Sequence, residues 1–280
     1  MRDILAPGEK SALAAWARRV RLNREQAERF RETADDGDFY APTAAAFKVD
    51  PFRKDEPVLD ILRSLARPGE NWLDIGAGGG RYALPLALTA REIVAVEPSG
   101  AMLSMLRAGM IEHNISNIRV VQERWPLTVS LVEDVALISH VGYDIEDIGE
   151  FLESMEKSAR RLCVAVLLDR APTALTETFW PRIHGEKRIP LPALGEFLVL
   201  QRARGRLCEV RISPRGGEHR HNPDLALSFL RQQLFIQPGG EKDRLLHDLF
   251  QRASRERPAA LDLGPERSAL GIVSWEPCAR

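Results

Sequence analysis

The sequence predicts an α/β fold: a mainly parallel seven-stranded sheet with helices on both faces, preceded by a helical N-terminal cap and elaborated by helices near the C-terminus. Three observations carry this. Five short apolar runs, at 72–75, 93–96, 118–121, 135–138 and 162–167, have the length of strands. Helical patterns lie between several of them, and a glycine-rich turn follows the first. Strands that alternate with helices lie parallel, because each crossover must travel back over one face of the sheet and cover it.

From Ser11 to about Asp36 the apolar residues Leu13, Trp16, Ala17, Val20, Ala27 and Phe30 fall at helical spacing among Arg, Glu and Gln, which predicts an amphipathic helix. Asp36-Gly37-Asp38 stops it, and the proline-bearing stretch to Pro51 reads as an ordered loop. A second helix, Glu56 to Arg67, ends at Pro68-Gly69. Residues 1–68 are thus expected as a helical cap and 69–280 as the sheet domain. A short helix from Tyr82 to Leu88 follows the glycine-rich turn. Ser99 is placed to cap a helix with inner face Met102, Leu103, Leu106 and Met110, and Asp144 to cap one carrying Ile148, Leu152 and Met155. Beyond Asp169 additional helices are expected at about 170–203, over Ala174 to Ile183 and Leu191 to Ala203, and at 222–257. Strands are expected at Leu207 to Ile212 and, closing the sheet, at Leu270 to Trp275.

Composition limits the functional classes. The 280 residues are 44% hydrophobic and 28% charged, as in ordinary globular chains. Lys and Arg number 39 against 40 Asp and Glu, a net charge of −1, which removes the long-range attraction to nucleic acid or an anionic membrane. A local basic stretch runs from Arg202 to Arg220, but no aromatic residues interleave with it to stack bases, so it reads as a solvated face. Cys163, Cys208 and Cys278 are odd in number and far apart, which fits a reducing, cytoplasmic setting. The N-terminus has no apolar stretch of the secretory kind, and no run reaches the ~18 apolar residues that span a bilayer. His219 and His221 sit in a Gly/Arg loop with no Cys or acidic neighbour to complete a metal site.

The chemistry concentrates in Leu73-Asp74-Ile75-Gly76-Ala77-Gly78-Gly79-Gly80-Arg81, a strand that runs into a glycine turn and then a helix. Glycines allow close approach of a ligand to the backbone, and a helix N-terminus points amides at it. Glu97 ends the next strand, where a carboxylate can accept from both hydroxyls of a ribose. The dinucleotide fingerprint started at Gly76 requires glycine at position 81, which is arginine, and Asp74 would repel a pyrophosphate. Both features disfavour a nicotinamide-dependent oxidoreductase.

Residues from Trp72 to about Asp169 resemble the class I S-adenosylmethionine-dependent methyltransferases, whose sheet is Rossmann-like. Asp74, Gly76, Gly78 and Gly80 match the family's D/E-x-G-x-G-x-G motif, and Glu97 its acidic residue at the second strand tip. The resemblance implies that the glycines line the methionine end of the cofactor, that Asp74 reaches its amino group and that Glu97 holds the ribose. It also implies that Met102 packs against the cofactor and that Glu123, Arg124 and Trp125 lie near adenine, though the family's usual Asp is absent there. The fourth strand ends Ser139-His140-Val141-Gly142-Tyr143-Asp144 without the N/D-P-P-Y sequence of enzymes that methylate nucleobase or amide nitrogens. His140 and Tyr143 are the catalytic candidates on that edge, with Tyr40, His184 and Glu186 further candidates from the additions. The function implied is methyl transfer from S-adenosylmethionine to a small-molecule acceptor. The alternative is a non-catalytic cofactor-binding protein that acts through a partner.

Overall fold

The computed structural model describes residues 7–33, 37–54, 56–214, 223–256 and 269–277. His219, Arg220, His221 and Cys278 lie outside these residues. The sheet is built from β1 (Asn71–Ile75), β2 (Glu92–Val96), β3 (Ile118–Val121), β4 (Glu133–Ser139), β5 (Ala159–Leu168), β6 (Cys208–Pro214) and β7 (Ala269–Trp275). Their order is β3-β2-β1-β4-β5-β7-β6. Strands β1 to β5 pair in parallel, whereas β7 runs antiparallel to both β5 and β6, so the sheet is mixed rather than uniformly parallel. The chain leaves β1 toward β2 on one side and reaches β4 on the other. Crossovers on opposite sides of the sheet open a crevice at the carboxyl ends of these two strands.

Helices follow where the 3.6-residue pattern and the stop signals put them. Helix α1 (Glu9–Phe30) buries Ala12, Trp16, Val20 and Ala27. It ends six residues before Asp36, because Arg31 is extended and Phe30 turns into a separate cluster. Helix α2 (Pro57–Leu65) starts on a proline, whose missing amide costs nothing in the first turn. Helix α3 (Ala83–Ala87) is short and wholly buried. In α4 (Gly100–Glu112) the Met102 amide donates to Ser99 Oγ at 3.1 Å, the expected cap; Gly109 joins the buried face, and Met110 packs half-buried against the same core. Helix α5 (Ile148–Lys157) begins after Asp147 rather than Asp144, which lies within a turn closed by the Ile145 amide on Gly142 O.

The expected helix at 174–183 is two pieces, a 3-10 turn at Pro172–Thr176 and α6 (Trp180–His184). Helix α7 (Leu194–Ala203) starts after Pro190 and Pro192, which cannot lie inside a helix. It lies against β7: a Cβ on Gly271 would come within 2.4 Å of Leu194. Helices α8 (Pro223–Gln233) and α9 (Glu241–Glu256) complete the additions.

One core holds the sheet, α1 to α5 and α7. A second packs Trp180, Leu230, Leu246 and Phe250 with Phe30. Arg188 joins this second cluster to α1, with its guanidinium 3.9 Å from the Trp180 ring centroid and Nη2 donating to Asn23 Oδ1 at 3.0 Å. Nearer the start of α1, Glu156 at the end of α5 accepts from Arg204 Nη1 (3.1 Å), Arg206 Nη2 (2.7 Å) and Trp275 Nε1 (3.0 Å). This carboxylate ties α5, the segment after α7 and β7 together. No described helix is long and apolar enough to cross a membrane.

Candidate functional site

The loop after β1 folds back over β2, with the Gly76 and Ala77 amides donating to Val96 O at 2.7 and 3.1 Å. Gly76, Gly78 and Gly80 have φ of +75°, +55° and +88°, in the region that side chains avoid. They do different work. A Cβ on Gly76 would meet Val141 Cγ2 at 2.4 Å, and one on Gly80 would meet Leu106 Cδ1 at 2.6 Å. A Cβ on Gly78 meets nothing within 4 Å and points into open space. Gly80 is therefore a packing residue rather than a wall of the pocket, because its missing side chain lets α4 approach. Gly79, which the motif left unspecified, is one of the lining residues.

A cavity of about 1050 Å³ opens here, bordered by the carboxyl ends of β1, β2 and β4. Two buried carboxylates face it. Glu97 receives the Gly78 amide on Oε2 and the Ser99 amide on Oε1, both at 2.9 Å. Burial raises its pKa, the two amides oppose that rise, and the nearby Asp38 charge adds to it. Burial also pushes Asp74 up to about 7, with the Glu97 charge as the second cause and the Ala83 amide opposing both. Two acids in one dry pocket resist ionising together. A ligand that brings a positive group to Asp74 relieves the conflict, while Glu97 is held ready to accept from hydroxyls.

Met102 and Trp125 are buried beside this pocket and Glu123 and Arg124 line it with exposed side chains. The Trp125 indole donates to Phe151 O at 3.3 Å, which fixes the ring. His140 lines the same pocket. Its φ of +56° turns the chain out of β4 while its amide still donates to Val166 O at 2.9 Å. Tyr143 is not brought there. It is buried, and its hydroxyl accepts from the Leu168 amide at 2.7 Å, so it braces the end of β5. His184 belongs to the second core, bonded through Nε2 to Leu234 O at 3.0 Å, and burial lowers its pKa to about 4. Glu186 accepts from Gln26 Nε2 at 2.7 Å and ion-pairs with Arg29, away from the cavity. Tyr40, 38% exposed, does line it. Burial of its phenol, then the charges of Asp144, Glu97 and Asp38, push that group up to about 12.

Asp38 was read only as part of a helix stop. Its carboxylate accepts from Ser99 Oγ at 2.8 and 2.9 Å and from the Ala101 amide at 3.0 Å, where the N-terminal dipole of α4 favours an anion. Ser99 in turn donates its amide to Glu97, so the segment carrying Tyr40 is anchored to the second carboxylate of the site. The partners are 61 residues apart in sequence, and no local signal announces such a pair. Arg81, noticed as the residue that breaks the dinucleotide fingerprint, donates from Nη2 to Glu56 Oε1 at 3.0 Å and closes the rim beside Tyr82, which donates to the same oxygen at 3.2 Å.

No family model matches the chain. A stretch of 68 residues, 24% of the chain, is 32% identical to the ribosomal RNA small subunit methyltransferase G of Ectopseudomonas mendocina and spans 32% of that protein. The chain thus covers about a third of the length of this curated relative. Among solved structures it resembles an S-adenosylmethionine-dependent methyltransferase from Geobacter sulfurreducens in complex with S-adenosylhomocysteine. The two are 16% identical, with 85% of this chain and 97% of that one covered and a TM-score of 0.56. A corresponding complex from Thiobacillus denitrificans matches at 14% identity, with 87% and 100% covered and a TM-score of 0.55. The fold is that of the class I S-adenosylmethionine-dependent methyltransferases.

Proposed function

We propose that the protein transfers a methyl group from S-adenosylmethionine to a small organic acceptor. The carrying observation is the pair of buried carboxylates in one pocket at the switch point of the sheet, with Glu97 fixed by the Gly78 and Ser99 amides and Asp74 held near neutrality. The methyl donor carries the matching groups, an ammonium for Asp74 and a ribose diol for Glu97. When bound, it supplies a methyl already activated by a sulfonium.

What remains for the chain is to bind, align and exclude water. Gly78 leaves the approach to the loop open, and Met102 and Trp125 provide apolar walls toward Glu123 and Arg124. Tyr40 and His140 border the same cavity. His140 serves as proton acceptor where the incoming nucleophile must lose a proton, and Tyr40 keeps its proton at neutral pH and so donates a hydrogen bond. Tyr143 has no part in this chemistry, since its hydroxyl is committed to the Leu168 amide. Carboxylates outnumber basic side chains around the pocket, which would repel a phosphate backbone and supports a small acceptor over RNA.

Calorimetric titration with S-adenosylmethionine, S-adenosylhomocysteine and NADH in parallel tests the assignment. Binding of the two sulfur nucleosides and not NADH is expected, and binding of none of them would refute it. Gly78→Arg is expected to abolish this binding, because the new side chain enters the space the ligand uses, while the circular-dichroism spectrum stays that of wild type and the melting temperature falls by only the few degrees that a side chain at positive φ costs. Unchanged affinity in that variant would move the ligand off the glycine loop.

A further inference from the structure

Strand β6 lies at one edge of the sheet, and over Cys208 to Ile212 its second edge pairs with no strand among the described residues. An open edge is a row of unpaired amides and carbonyls, a template for another strand. The two faces of this strand differ. Ile212 stands opposite Gly271 in the ladder, and Gly271 faces Leu194, so Cys208, Val210 and Ile212 point to the α7 side. Val210 is 39% and Ile212 59% exposed there. The other face carries Glu209 and Arg211. Arg211 Nε donates to Glu209 Oε1 at 2.8 Å and its Nη1 to Ser64 Oγ of α2 at 3.1 Å.

We propose that β6 pairs antiparallel with β6 of a second copy of this chain, about a twofold axis at Val210, so that the two sheets become one. The register follows from charge. Residues directly opposite each other must point to the same face, so a twofold pairing centres on a single residue; a centre at Ile212 would draw Pro214, which has no amide to donate, into the ladder opposite Val210, which leaves Glu209, Val210 and Arg211. Centring on Glu209 sets two carboxylates opposite each other, and centring on Arg211 sets two guanidiniums opposite each other. Centring on Val210 places Glu209 opposite Arg211 twice, Val210 opposite itself and Ile212 opposite Cys208. Opposite charges then alternate across the axis on one face, and the exposed apolar residues meet on the other. Pro214, which lacks an amide, falls beyond the paired segment. The contact is self-complementary and closes at two copies.

Sedimentation of the full chain over roughly a hundredfold range of concentration tests the pairing. A concentration-dependent dimer is expected. Glu209→Arg, and separately Arg211→Glu, should each raise the dissociation constant about tenfold by creating two like-charge pairs. The double variant Glu209→Arg/Arg211→Glu restores the alternation and should return to within about threefold of wild type. Both side chains are exposed, so an unchanged melting temperature at dilution serves as the folding control. A wild-type monomer at every concentration overturns the proposal. So does a dimer that the single variants leave intact, or a dissociation that the double variant does not reverse.

Discussion

Asp74→Asn is expected to make the free protein more stable and the bound protein rarer. In the folded chain the Asp74 carboxyl titrates at about 7 against an ordinary 3.8. Between these values the native state holds a proton that the unfolded chain releases, so stability falls as pH rises from about 4 to about 7, and the full penalty stands above that window. Asparagine has the same shape and no charge. In urea titrations at about pH 8 the variant should gain on the order of 4 kcal/mol over wild type, and the gain should vanish near pH 4, where the folded-state side chains are both neutral. Its affinity for S-adenosylmethionine at about pH 8 should fall by roughly 1.5–3 kcal/mol, the worth of a charge-assisted hydrogen bond. Wild type should also release protons on binding near pH 7, seen as a dependence of the calorimetric heat on buffer ionisation enthalpy, and the variant should not. Equal stability of the two proteins at about pH 8 would refute the buried-acid account.

Glu156→Ala is expected to cost about 3–5 kcal/mol, because it strands the buried Arg204 guanidinium and takes the carboxylate partner from the partly exposed Arg206. The Arg204 side chain is 1% and the Glu156 side chain 6% exposed. Burial works to raise the Glu156 pKa, but the Arg206 hydrogen bond and the charges of Arg204 and Arg206, joined by the Trp275 indole, outweigh it and hold the carboxyl below its usual value. The stabilisation is therefore present above the ordinary carboxylate range and is lost as pH falls through the lowered pKa. The measurement is the urea midpoint at neutral pH. Lys48→Ala is the contrast, since Lys48 and Glu112 are 60% and 46% exposed and losing their solvent-screened pairing should leave the midpoint close to that of wild type. If both variants shifted the midpoint equally, burial would not be what gives the Glu156 cluster its weight.

Much of the sheet was legible because its strands are apolar on both faces. Runs such as Trp72-Leu73-Asp74-Ile75 and Val164-Ala165-Val166 have no polar alternation to confuse with a helix, and the first runs straight into glycine. Ser99 was visible as a cap because capping is local. The direction of β7 was not, since a strand's own sequence does not say which way its neighbours run.

The site divides in the same way. Asp74 and Glu97 announce themselves by standing at strand ends beside glycines. The different roles of Gly78 and Gly80 depend on which side chain lies opposite, Leu106 for Gly80 and none for Gly78. Tyr143 and His184 had the chemistry of candidates but not the place, because each is held by a backbone group remote in sequence, the Leu168 amide and the Leu234 carbonyl.

The position of β7 between β5 and β6 also governs the order in which the molecule can form. During synthesis β5 and β6 emerge well before residues 269–275, and neither can pair with the other in the final sheet. Until β7 arrives, β5 presents an open edge and β6 has no neighbour at all, with helices α8 and α9 still intervening in the chain. Closing that gap requires contacts between residues about a hundred positions apart, which is slow on the scale of local helix formation. A nascent chain of this protein therefore carries the buried-core strand β5 with an uncovered edge until β7 is made, and this is the interval in which a chaperone has something to protect.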